Sequence, residues 1–454
     1  MILLKSIDVN NIEVLCEYSC NNLIEYEQIK IDSRAVKRGD IFAGIKGSKV
    51  DGNRFAQEAI SRGAVAVILD DINYYKPVES NKVLVKDSSE ALLSIGKKRL
   101  ESFKGYKIAI TGSAGKTTMK EMIHMLLSSK YDVFKTYNNN NNELGIALNC
   151  SNLSLDESFG IFEFGTNNIG EIANLSGYVN PHTCIITNVG TSHIGRFGSL
   201  EALLNEKLSI IKSNNIKDLW LPHSLYKQIH HLLKGNFHIK TFSGRDESYI
   251  SVQDLELSGD GLEYLVKYDG HFYKFRLNHF YEHLAYNTLV PIGIAFECGL
   301  TYDEIHKVIE SFKPMEGRGN IIKSSDLYII NDVYNASLEA ILSAINSFNK
   351  LAVDRKKVAV IGHMAEIEGF EEKLYKRIYE KACRCSDISF IFVGYNYKKF
   401  PPANNIEITY SKEEALNKIK YIRDAYVLIK AARVNAFEDI VNELINSQRA
   451  NNAL

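Results

Sequence analysis

The segment from Ile108 to Thr118, Ile-Ala-Ile-Thr-Gly-Ser-Ala-Gly-Lys-Thr-Thr, combines the residue types that hold a nucleotide phosphate. A short β-branched run ends in a glycine-containing turn, which is followed by Lys116, two threonines and a helical pattern. Glycines let backbone N–H groups converge on an anion, the helix turns its positive end towards that anion, and Lys116 adds a mobile charge. Because Thr117 can hold Mg²⁺ as well, the segment predicts a site for a nucleotide phosphate and magnesium.

The spacing of this segment departs from the common P-loop, because Ile110 stands five positions before Gly115, where that motif has a glycine. The fit is to a shorter Thr-Gly-x-x-Gly-Lys-Thr-Thr form. A Gly/Ser turn that only caps a helix and leaves the lysine in solvent is the alternative interpretation. The order of strand, turn, lysine, threonine and helix favours the phosphate site.

Three further polar residues lie in or just past apolar runs, where parallel sheets place their ligands. Glu163 interrupts the apolar run Gly160–Phe164, and a carboxylate there is costly to bury unless it is paired or metal-bound. We therefore expect Glu163 to bind Mg²⁺. His193 follows the next predicted strand, and Lys207 lies on a helix predicted to begin near residue 199. Taken singly, such residues are more often a loop histidine and a solvated lysine.

Apolar runs and helical patterns alternate along the chain and predict an α/β protein of about three domains. Residues 1–82 predict a small α/β domain, with strands near 28–31, 40–45 and 64–69 and a helix near 53–62. Residues 83–312 predict a parallel sheet with crossover helices, and the β-rich segment from Ile239 to Leu277 is interpreted as a hairpin excursion. Residues 313–454 predict a second, doubly wound sheet.

Composition limits the classes of partner. The 454 residues contain 45% hydrophobic side chains, and 54 Lys and Arg balance 55 Asp and Glu, so we expect no nucleic-acid partner. Seven cysteines, an odd number placed in apolar patterns, are more typical of a reducing cytoplasm than of a disulfide framework. The N-terminal segment lacks the apolar core of a signal peptide, and no run approaches the roughly 20 apolar residues that cross a bilayer. We expect a cytoplasmic monomer without a membrane partner.

A series of motifs extends over nearly the whole chain. They are Ile31–Arg34, Gly39–Asp40, Asp51–Gly52, Thr111–Thr118, Asn139–Gly145, Glu163–Asn167, Thr187–Gly190, His193, Phe197–Ser199, Lys207, His283, Asn287, Gly317–Arg318 and Asp332–Ala336. In their order and spacing the chain resembles the Mur ligases of peptidoglycan synthesis. The likeness is greatest to the members that add D-alanyl-D-alanine to a UDP-linked muramoyl tripeptide.

The resemblance implies a fold and an activity. The implied architecture has a UDP-substrate-binding α/β domain (1–82), a central parallel-sheet P-loop ATPase domain (83–312) and a C-terminal Rossmann-like, acceptor-binding domain (313–454). The implied activity is ATP-dependent amide ligation through an acyl phosphate, with domains that close over the reactants. ATP and Mg²⁺ are the implied cofactors, and the small-molecule partners are a UDP-linked muramoyl peptide and D-alanyl-D-alanine.

The resemblance also implies roles for individual residues. ATP would contact Gly112, Ser113, Ala114, Gly115, Lys116, Thr117, Thr118, His283, Asn287, Arg318 and Asp332. Magnesium would contact Thr117, Glu163, His193 and Lys207, the lysine after CO₂ has converted its amine to a carbamate. Catalysis is assigned to Lys116, Lys207, His193 and Glu163. The UDP-linked substrate would contact Ser33, Arg34, Lys46, Asn139, Asn141, Asn142, Thr166 and Asn167.

Several departures from the family pattern leave the acceptor open. Asn331–Leu338 lacks the family's proline, Gly362-His-Met replaces Gly-Asp-Met, Lys430-Ala-Ala-Arg replaces Lys-Gly-Ser-Arg, and Tyr281 replaces a glycine. Three hypotheses therefore remain: the D-alanyl-D-alanine ligase, a paralogue with a different amino-acid or peptide acceptor, and a non-catalytic nucleotide-binding protein of the same fold. The Asp-Asn-Pro-Arg motif of the diaminopimelate-adding type is absent, which weakens that option.

Overall fold

The computed structural model describes residues 5–8, 14–17, 23–74, 81–137, 140–244, 247–258, 261–324 and 326–451. Asn139, one of the predicted substrate residues, lies outside this part of the chain. Within the described residues, strands and helices alternate and the strands form four sheets. The predicted α/β class is confirmed, and three units follow one another along the sequence.

The N-terminal unit contains a five-stranded sheet in the order β2-β7-β6-β5-β4 and a separate β1-β3 ladder. Its elements are β1 (Lys5–Asp8), β2 (Val14–Glu17), β3 (Leu23–Tyr26), β4 (Ile29–Lys30), β5 (Ile41–Ala43), α1 (Ala56–Ser61), β6 (Ala66–Leu69) and β7 (Asn81–Val85). β4 to β7 pair in parallel, and β2 pairs antiparallel with β7. β5 and β6 are buried at every residue, which is why they read as continuous apolar runs.

Helix α2 (Ser88–Ser102) joins the first sheet to the central one. It begins at Asp87, whose carboxylate accepts two backbone N–H hydrogen bonds of the first turn. Leu92 and Ile95 of this helix share one hydrophobic core with strands β5, β6 and β7 and with Ala147 of the central unit. The helix therefore packs on both units. The boundary between residues 82 and 83 stays a prediction.

The central unit is built on a nine-stranded sheet in the order β16-β15-β14-β13-β12-β11-β8-β10-β9. Its strands are β8 (Tyr106–Thr111), β9 (Val133–Lys135), β10 (Phe159–Glu163), β11 (Thr183–Ile186), β12 (Asp218–Pro222), β13 (His238–Ser243), β14 (Ile250–Ser258), β15 (Gly261–Tyr268) and β16 (His271–Leu277). Its helices are α3 (Lys116–Leu127), α4 (Glu143–Ser151), α5 (Glu171–Val179), α6 (Ile194–Phe197), α7 (Leu200–Leu208), α8 (His223–Ile229), α9 (Glu282–Glu297) and α10 (Tyr302–Ser311).

The segment from Ile239 to Leu277 is not a hairpin excursion, as its β-rich pattern had predicted, but part of this sheet. β13 pairs in parallel with β12, β14 pairs in parallel with β13, and β15 and β16 add an antiparallel edge. Burial explains the difference. Leu262, Val266 and Phe275 are fully buried in the same core as Leu289 of α9, and a projecting hairpin would leave them in water.

The C-terminal unit has a six-stranded sheet in the order β17-β18-β22-β19-β20-β21. Its elements are β17 (Asn320–Ser324), β18 (Leu327–Asp332), α11 (Leu338–Lys350), β19 (Lys356–Ile361), α12 (Glu371–Cys383), β20 (Ile388–Val393), β21 (Ile406–Thr409), α13 (Lys412–Ile419), β22 (Ala425–Lys430) and α14 (Glu438–Asn451). All strands except β17 run in parallel, as the alternating pattern predicts. None of the helices in the described parts of the chain has both the length and the hydrophobicity that a membrane crossing needs.

Candidate active site

A cavity of about 490 Å³, called the interdomain cavity below, lies at the carboxyl end of the central sheet. This is where open α/β sheets place their ligands, and the volume is typical of small-molecule pockets. The central unit lines it with 113–118, Asn141, Glu163, 188–190, His193, Tyr281, His283, Leu284 and Asn287. The C-terminal unit lines it with Arg318, Asp332, Tyr334, Asn335, Ser337, Glu339, Ala340, Ser343 and Lys430.

The predicted phosphate loop connects β8 to α3 and forms one wall of this cavity. Gly112 has φ 147°, and a Cβ there would lie 1.9 Å from the Thr187 hydroxyl oxygen, so only glycine fits. Gly115 adopts the left-handed conformation immediately before α3. The first-turn N–H groups of α3 have no partner within the helix and carry its positive end. The loop is thus preformed for an anion.

Lys116 is the first residue of α3 and its ammonium donates a 2.7 Å hydrogen bond to the Gly112 carbonyl. Burial lowers the pKa of Lys116, the carboxylate of Glu163 opposes that shift, and Arg318 lowers the pKa further. A dianionic phosphate in the cavity would be a stronger partner for this ammonium than a backbone carbonyl. The position of Lys116 therefore agrees with its predicted role.

Glu163 lies at the end of β10, only 3% exposed, and is ion-paired. Its Oε1 accepts hydrogen bonds from the Thr117 hydroxyl at 3.1 Å and from the Asn141 amide at 3.3 Å. Its Oε2 lies 3.4 Å from the ammonium of Lys120, which is 1% exposed. The sequence had identified the cost of burying this carboxylate but not the lysine that offsets it.

Breaking this buried pair should destabilise the protein. Replacing Lys120 with methionine leaves the Glu163 carboxylate buried with only hydrogen-bond donors and the more distant Lys116. We expect a loss of about 3 kcal/mol in the free energy of unfolding, measured by urea denaturation. The double variant Lys120→Met/Glu163→Gln, which removes both charges, should recover most of that loss. A single-variant loss below about 0.5 kcal/mol would show that the pair does not balance the buried charge.

Thr117 and Glu163 fit a magnesium ion that is completed by phosphate oxygens. Glu163 Oε2 has no hydrogen-bond partner among the described residues, and the Thr117 hydroxyl lies beside the same carboxylate. No group of three or more His, Cys, Asp or Glu side chains converges on a metal position in the described part of the chain. Mg²⁺ commonly takes one or two carboxylates together with substrate phosphates, so this donor set suits it.

His193 connects the central unit to the C-terminal unit. It precedes α6 with φ 66°, and its Nδ1 contacts the Glu366 carboxylate. Arg196 lies 2.6 Å from the same carboxylate, and the Gly195 N–H donates to the Glu366 carbonyl at 2.9 Å. A Cβ on Gly195 would lie 2.3 Å from Glu368 Oε2, so glycine permits this close approach. Burial lowers the pKa of His193, which the Glu366 carboxylate opposes.

Lys207 lies on α7, which begins after Ser199 as predicted, and is 1% exposed. Burial and the nearby Lys116 lower the pKa of Lys207 to about 7, and Glu206 opposes the shift. Within the described residues no hydrogen bond or ion pair reaches this ammonium. Glu206 instead accepts N–H hydrogen bonds of 2.7 Å from residues 170 and 172, at the start of α5. Lys207 is not among the residues that line the cavity.

His283 and Asn287 line the cavity from α9, as a nucleotide-binding role requires. His283 Nδ1 lies 3.1 Å from the Ser343 hydroxyl, and burial lowers the pKa of this histidine to about 4. The ring is therefore neutral at pH 7. The side chain of Asn287 faces Gly115, where a Cβ would lie 3.2 Å from its amide oxygen.

Asp332 contacts Lys430, which the family pattern also has, and Tyr281, which departs from that pattern. Lys430 lies 2.7 Å from its carboxylate, and the Tyr281 hydroxyl donates to the same oxygen at 3.1 Å. The side chain of Lys430 is 3% exposed. Arg318 stacks on Tyr334, with the guanidinium carbon 3.9 Å from the ring centroid. Arg318 and Asp332 both line the cavity, where Asp332 already has a balancing cation, and their contact with ATP stays a prediction.

The structure does not bring the predicted UDP contacts to the interdomain cavity. The Ser33 hydroxyl donates to Glu58 at 2.8 Å, Arg34 is exposed and paired with Asp32, and Lys46 forms an isolated bridge in the N-terminal unit. These three residues share that unit but none lines the cavity. Their substrate role stays a prediction.

The predicted sugar-peptide contacts are only partly brought together. Asn141 lines the cavity, and Asn142 begins α4 by accepting the Gly145 N–H at 2.9 Å. The Thr166 hydroxyl lies 3.2 Å from Glu206, and Asn167 is exposed. Three of these side chains therefore have structural contacts or solvent around them, and only Asn141 reaches the cavity.

Three acidic residues and one lysine that the sequence did not single out complete the site. Glu339, at the start of α11, accepts hydrogen bonds from the N–H and hydroxyl of Thr191 and joins the two units. Glu366 contacts His193 and Arg196, and Glu206 accepts the N–H groups at the start of α5. Lys120 stands four residues after Lys116, so both occupy one face of α3, and this spacing was the available signal.

Comparison with known proteins agrees with this geometry. Residues 110–295 match the family described as Mur ligase middle domain, and residues 25–101 match the Mur ligase family, catalytic domain. A UDP-N-acetylmuramoyl-tripeptide--D-alanyl-D-alanine ligase from Bacillus subtilis is 30% identical over 440 residues, which cover 93% of this chain and 95% of that protein. The ligase of the same name from Rickettsia prowazekii is 28% identical, with 93% and 96% covered.

Among solved structures, the crystal structure of MurF ligase from Thermotoga maritima in complex with ADP aligns with a TM-score of 0.81. It is 24% identical, and the alignment covers 94% of this chain and 98% of that one. This likeness shows the fold, including the arrangement of its α/β units. With the relative from Bacillus subtilis and the two matched segments, it establishes that the chain belongs to the Mur ligase family.

Proposed function

We propose that the protein is an ATP-dependent ligase that adds D-alanyl-D-alanine to UDP-N-acetylmuramoyl-tripeptide in peptidoglycan precursor synthesis. The observation that carries the proposal is the interdomain cavity, in which a phosphate loop with Lys116 faces the buried Thr117–Glu163 pair. The names of the relatives from Bacillus subtilis and Rickettsia prowazekii support the same substrates. We further propose a cytoplasmic monomer whose three domains are divided as predicted.

The loop and Lys116 would hold the β- and γ-phosphates of ATP. The Lys116 ammonium would exchange the Gly112 carbonyl for a phosphate oxygen, and the first-turn N–H groups of α3 would donate to the others. Thr117, Glu163, His193 and carbamylated Lys207 would hold magnesium. When bound, magnesium offsets the negative charge on the phosphoryl oxygens.

The proposed reaction proceeds in two substrate steps. The terminal carboxylate of the tripeptide attacks the γ-phosphorus, the bond to ADP breaks, and an acyl phosphate forms. The amine of D-alanyl-D-alanine then attacks the acyl carbon, loses a proton and displaces phosphate as the amide forms. Water competes for the acyl phosphate, so closure by Glu339 and Glu366 against the central unit would protect it. Hinges near residues 83 and 313 would open the cavity for substrates.

The departures from the family pattern favour one second candidate, a Mur ligase paralogue with a different amino-acid or peptide acceptor. Tyr281 and Lys430 meet at Asp332 inside the cavity, so one departure, Tyr281, contributes a side chain to the cavity itself. His363, which replaces an aspartate of the family pattern, lies 3.3 Å from the Tyr375 hydroxyl.

An acceptor panel tests the proposal. The purified chain is given Mg·ATP, UDP-N-acetylmuramoyl-tripeptide and either D-alanyl-D-alanine, single amino acids or other dipeptides, and ADP and the mass of the UDP-linked product are followed. We expect ADP formation and the pentapeptide product only with D-alanyl-D-alanine. ADP with another acceptor alone would establish the paralogue. ATP binding without ADP across the whole panel would establish the non-catalytic alternative.

A further inference from the structure

A second cavity, of about 380 Å³, lies at the opposite end of the central sheet from the phosphate loop and is called the opposite-pole cavity. It is formed where the last residues of α2 and α5 meet the amino end of β8. Its lining includes Lys97, Lys104, Lys107, His182 and a single carboxylate, Glu101. The lining is therefore strongly basic, although the chain as a whole carries a net charge of only −1.

Lys107 is the central feature of this cavity. The residue is 9% exposed and lines the cavity, and no hydrogen bond or ion pair reaches its ammonium from the described part of the chain. Only the backbone of Lys107 forms hydrogen bonds with other described residues. Its backbone N–H donates to the ring Nδ1 of His182 at 3.0 Å, and its carbonyl accepts the backbone N–H of His182. The buried stem leaves this ammonium partly desolvated and without a counter-charge, and an anion that enters the cavity would supply one.

The neighbouring groups add positive charge and donors. Lys97 is already partnered, since its ammonium donates to the Tyr178 carbonyl at 2.9 Å at the end of α5. It still lies close enough to lower the pKa of Lys107, although burial contributes more. Lys104 is exposed at the mouth.

His182 supplies a neutral donor. Burial, Lys107 and Lys217 lower the pKa of His182 to about 4, so the ring is uncharged at pH 7. Because its Nδ1 accepts the Lys107 N–H, the proton is on Nε2, which leaves a ring N–H available. The groups that oppose an anion are Glu101 and the carbonyls at the end of α5, of which Lys97 covers those of Gly177 and Tyr178.

We propose that the opposite-pole cavity binds the phosphate group of a small molecule, with Lys107 as the cation that the phosphate neutralises. A phosphate monoester carries a charge near −2 at pH 7 and accepts hydrogen bonds in several directions, which suits the ammonium groups of Lys104 and Lys107 and the ring N–H of His182. The site is separate from the interdomain cavity and does not rest on the proposed ligase activity. Free phosphate and a phosphorylated metabolite share this chemistry.

The test measures phosphate binding where the phosphate loop cannot contribute. The full-length Lys116→Met variant removes the main cation of that loop, and it is titrated by calorimetry with inorganic phosphate, glycerol 3-phosphate and succinate. We expect saturable binding of one phosphate, with succinate at least about tenfold weaker because its two charges are spread over two carboxylates. Tighter binding of glycerol 3-phosphate than of inorganic phosphate would identify a phosphorylated metabolite as the source. The reverse order would identify free phosphate.

Two added substitutions assign the binding to this cavity. Lys107→Met in the Lys116→Met background should weaken phosphate binding by about tenfold or more while leaving the thermal midpoint unchanged or raised, because a partly desolvated charge without a partner is lost. Lys104→Met at the mouth should weaken binding severalfold, and it is a conservative second variant if Lys107→Met does not fold. Lys307→Met, an exposed lysine on α10, is the matched control and should change nothing. Absent phosphate binding, or binding that survives both Lys104→Met and Lys107→Met, overturns the proposal.

Discussion

Replacing Lys207 with methionine is expected to lower kcat by about 10³-fold while ATP still binds. The lysine is 1% exposed, no hydrogen bond or ion pair reaches its ammonium among the described residues, and its pKa is lowered to about 7. Much more of the amine is therefore neutral and nucleophilic at pH 7 than in an ordinary lysine. Its nitrogen can form a bond to the carbon of CO₂ with loss of one proton, which gives the proposed carbamate.

The carbamate would change the charge beside the phosphate loop. A cation that lies near Lys116 becomes an anion, so the repulsion between the two lysines becomes attraction. Glu206 is the acidic neighbour that opposes this change, but its oxygens already accept the N–H groups of residues 170 and 172. Methionine retains the length and apolar stem of the side chain and cannot form the carbamate, so its effect isolates the chemistry of the amine.

Two readouts distinguish this role from a structural one. Wild-type protein in ¹³C-labelled bicarbonate should show a carbamate resonance by NMR that Lys207→Met lacks, and CO₂-free buffer should lower wild-type activity reversibly. Lys212→Met, an exposed lysine shortly after α7, should retain both the resonance and the activity. Full activity of Lys207→Met, or a wild-type rate that is indifferent to CO₂, would contradict the carbamate.

The sequence predicted those parts of the molecule that depend on local pattern. β5, β6, β8 and β19 appear as continuous apolar runs because parallel strands are covered on both faces, and the predicted phosphate loop lies between β8 and α3. The loop, Glu163 and His193 line one cavity because the carboxyl ends of parallel strands meet at one edge of the sheet.

The contacts between distant segments could not be predicted in this way. Glu366 and Glu339 join the C-terminal unit to the central one at sequence separations above 140 residues, and no local pattern encodes such pairs. The segment from Ile239 to Leu277 was misassigned because alternation indicates strands but not the sheet that they join. Lys120 was missed because a lysine on a helix is usually solvated, and only the packing shows it 1% exposed.

Replacing Lys116 with methionine should have a comparable or larger effect, a loss of about 10⁴-fold in the rate of ADP formation. In the proposed reaction the negative charge on the transferred phosphoryl group must be stabilised by fixed donors, and Lys116 is the mobile cation of the loop. The loss of a hydrogen bond that strengthens in the transition state lowers kcat. We therefore expect a smaller change, about tenfold, in the affinity for a fluorescent ATP analogue.

Stability separates this chemical role from a structural one. Because the pKa of Lys116 is lowered in the folded protein, folding penalises its charged form. That penalty is fully present below the folded pKa and disappears as the pH rises past the unfolded value of 10.5. Lys116→Met should therefore have an unchanged or raised thermal midpoint at pH 7, with the gain shrinking as the pH is raised.

The matched control for this experiment is Lys130→Met, an exposed lysine shortly after the same helix. It should retain wild-type ADP formation. Lys116→Arg tests geometry, because the larger guanidinium must fit the short loop beside Gly112; we expect it to retain the charge but little of the rate. If Lys116→Met formed ADP within about tenfold of the wild-type rate, the loop would not be the phosphate site, and the ligase mechanism built on it would fail.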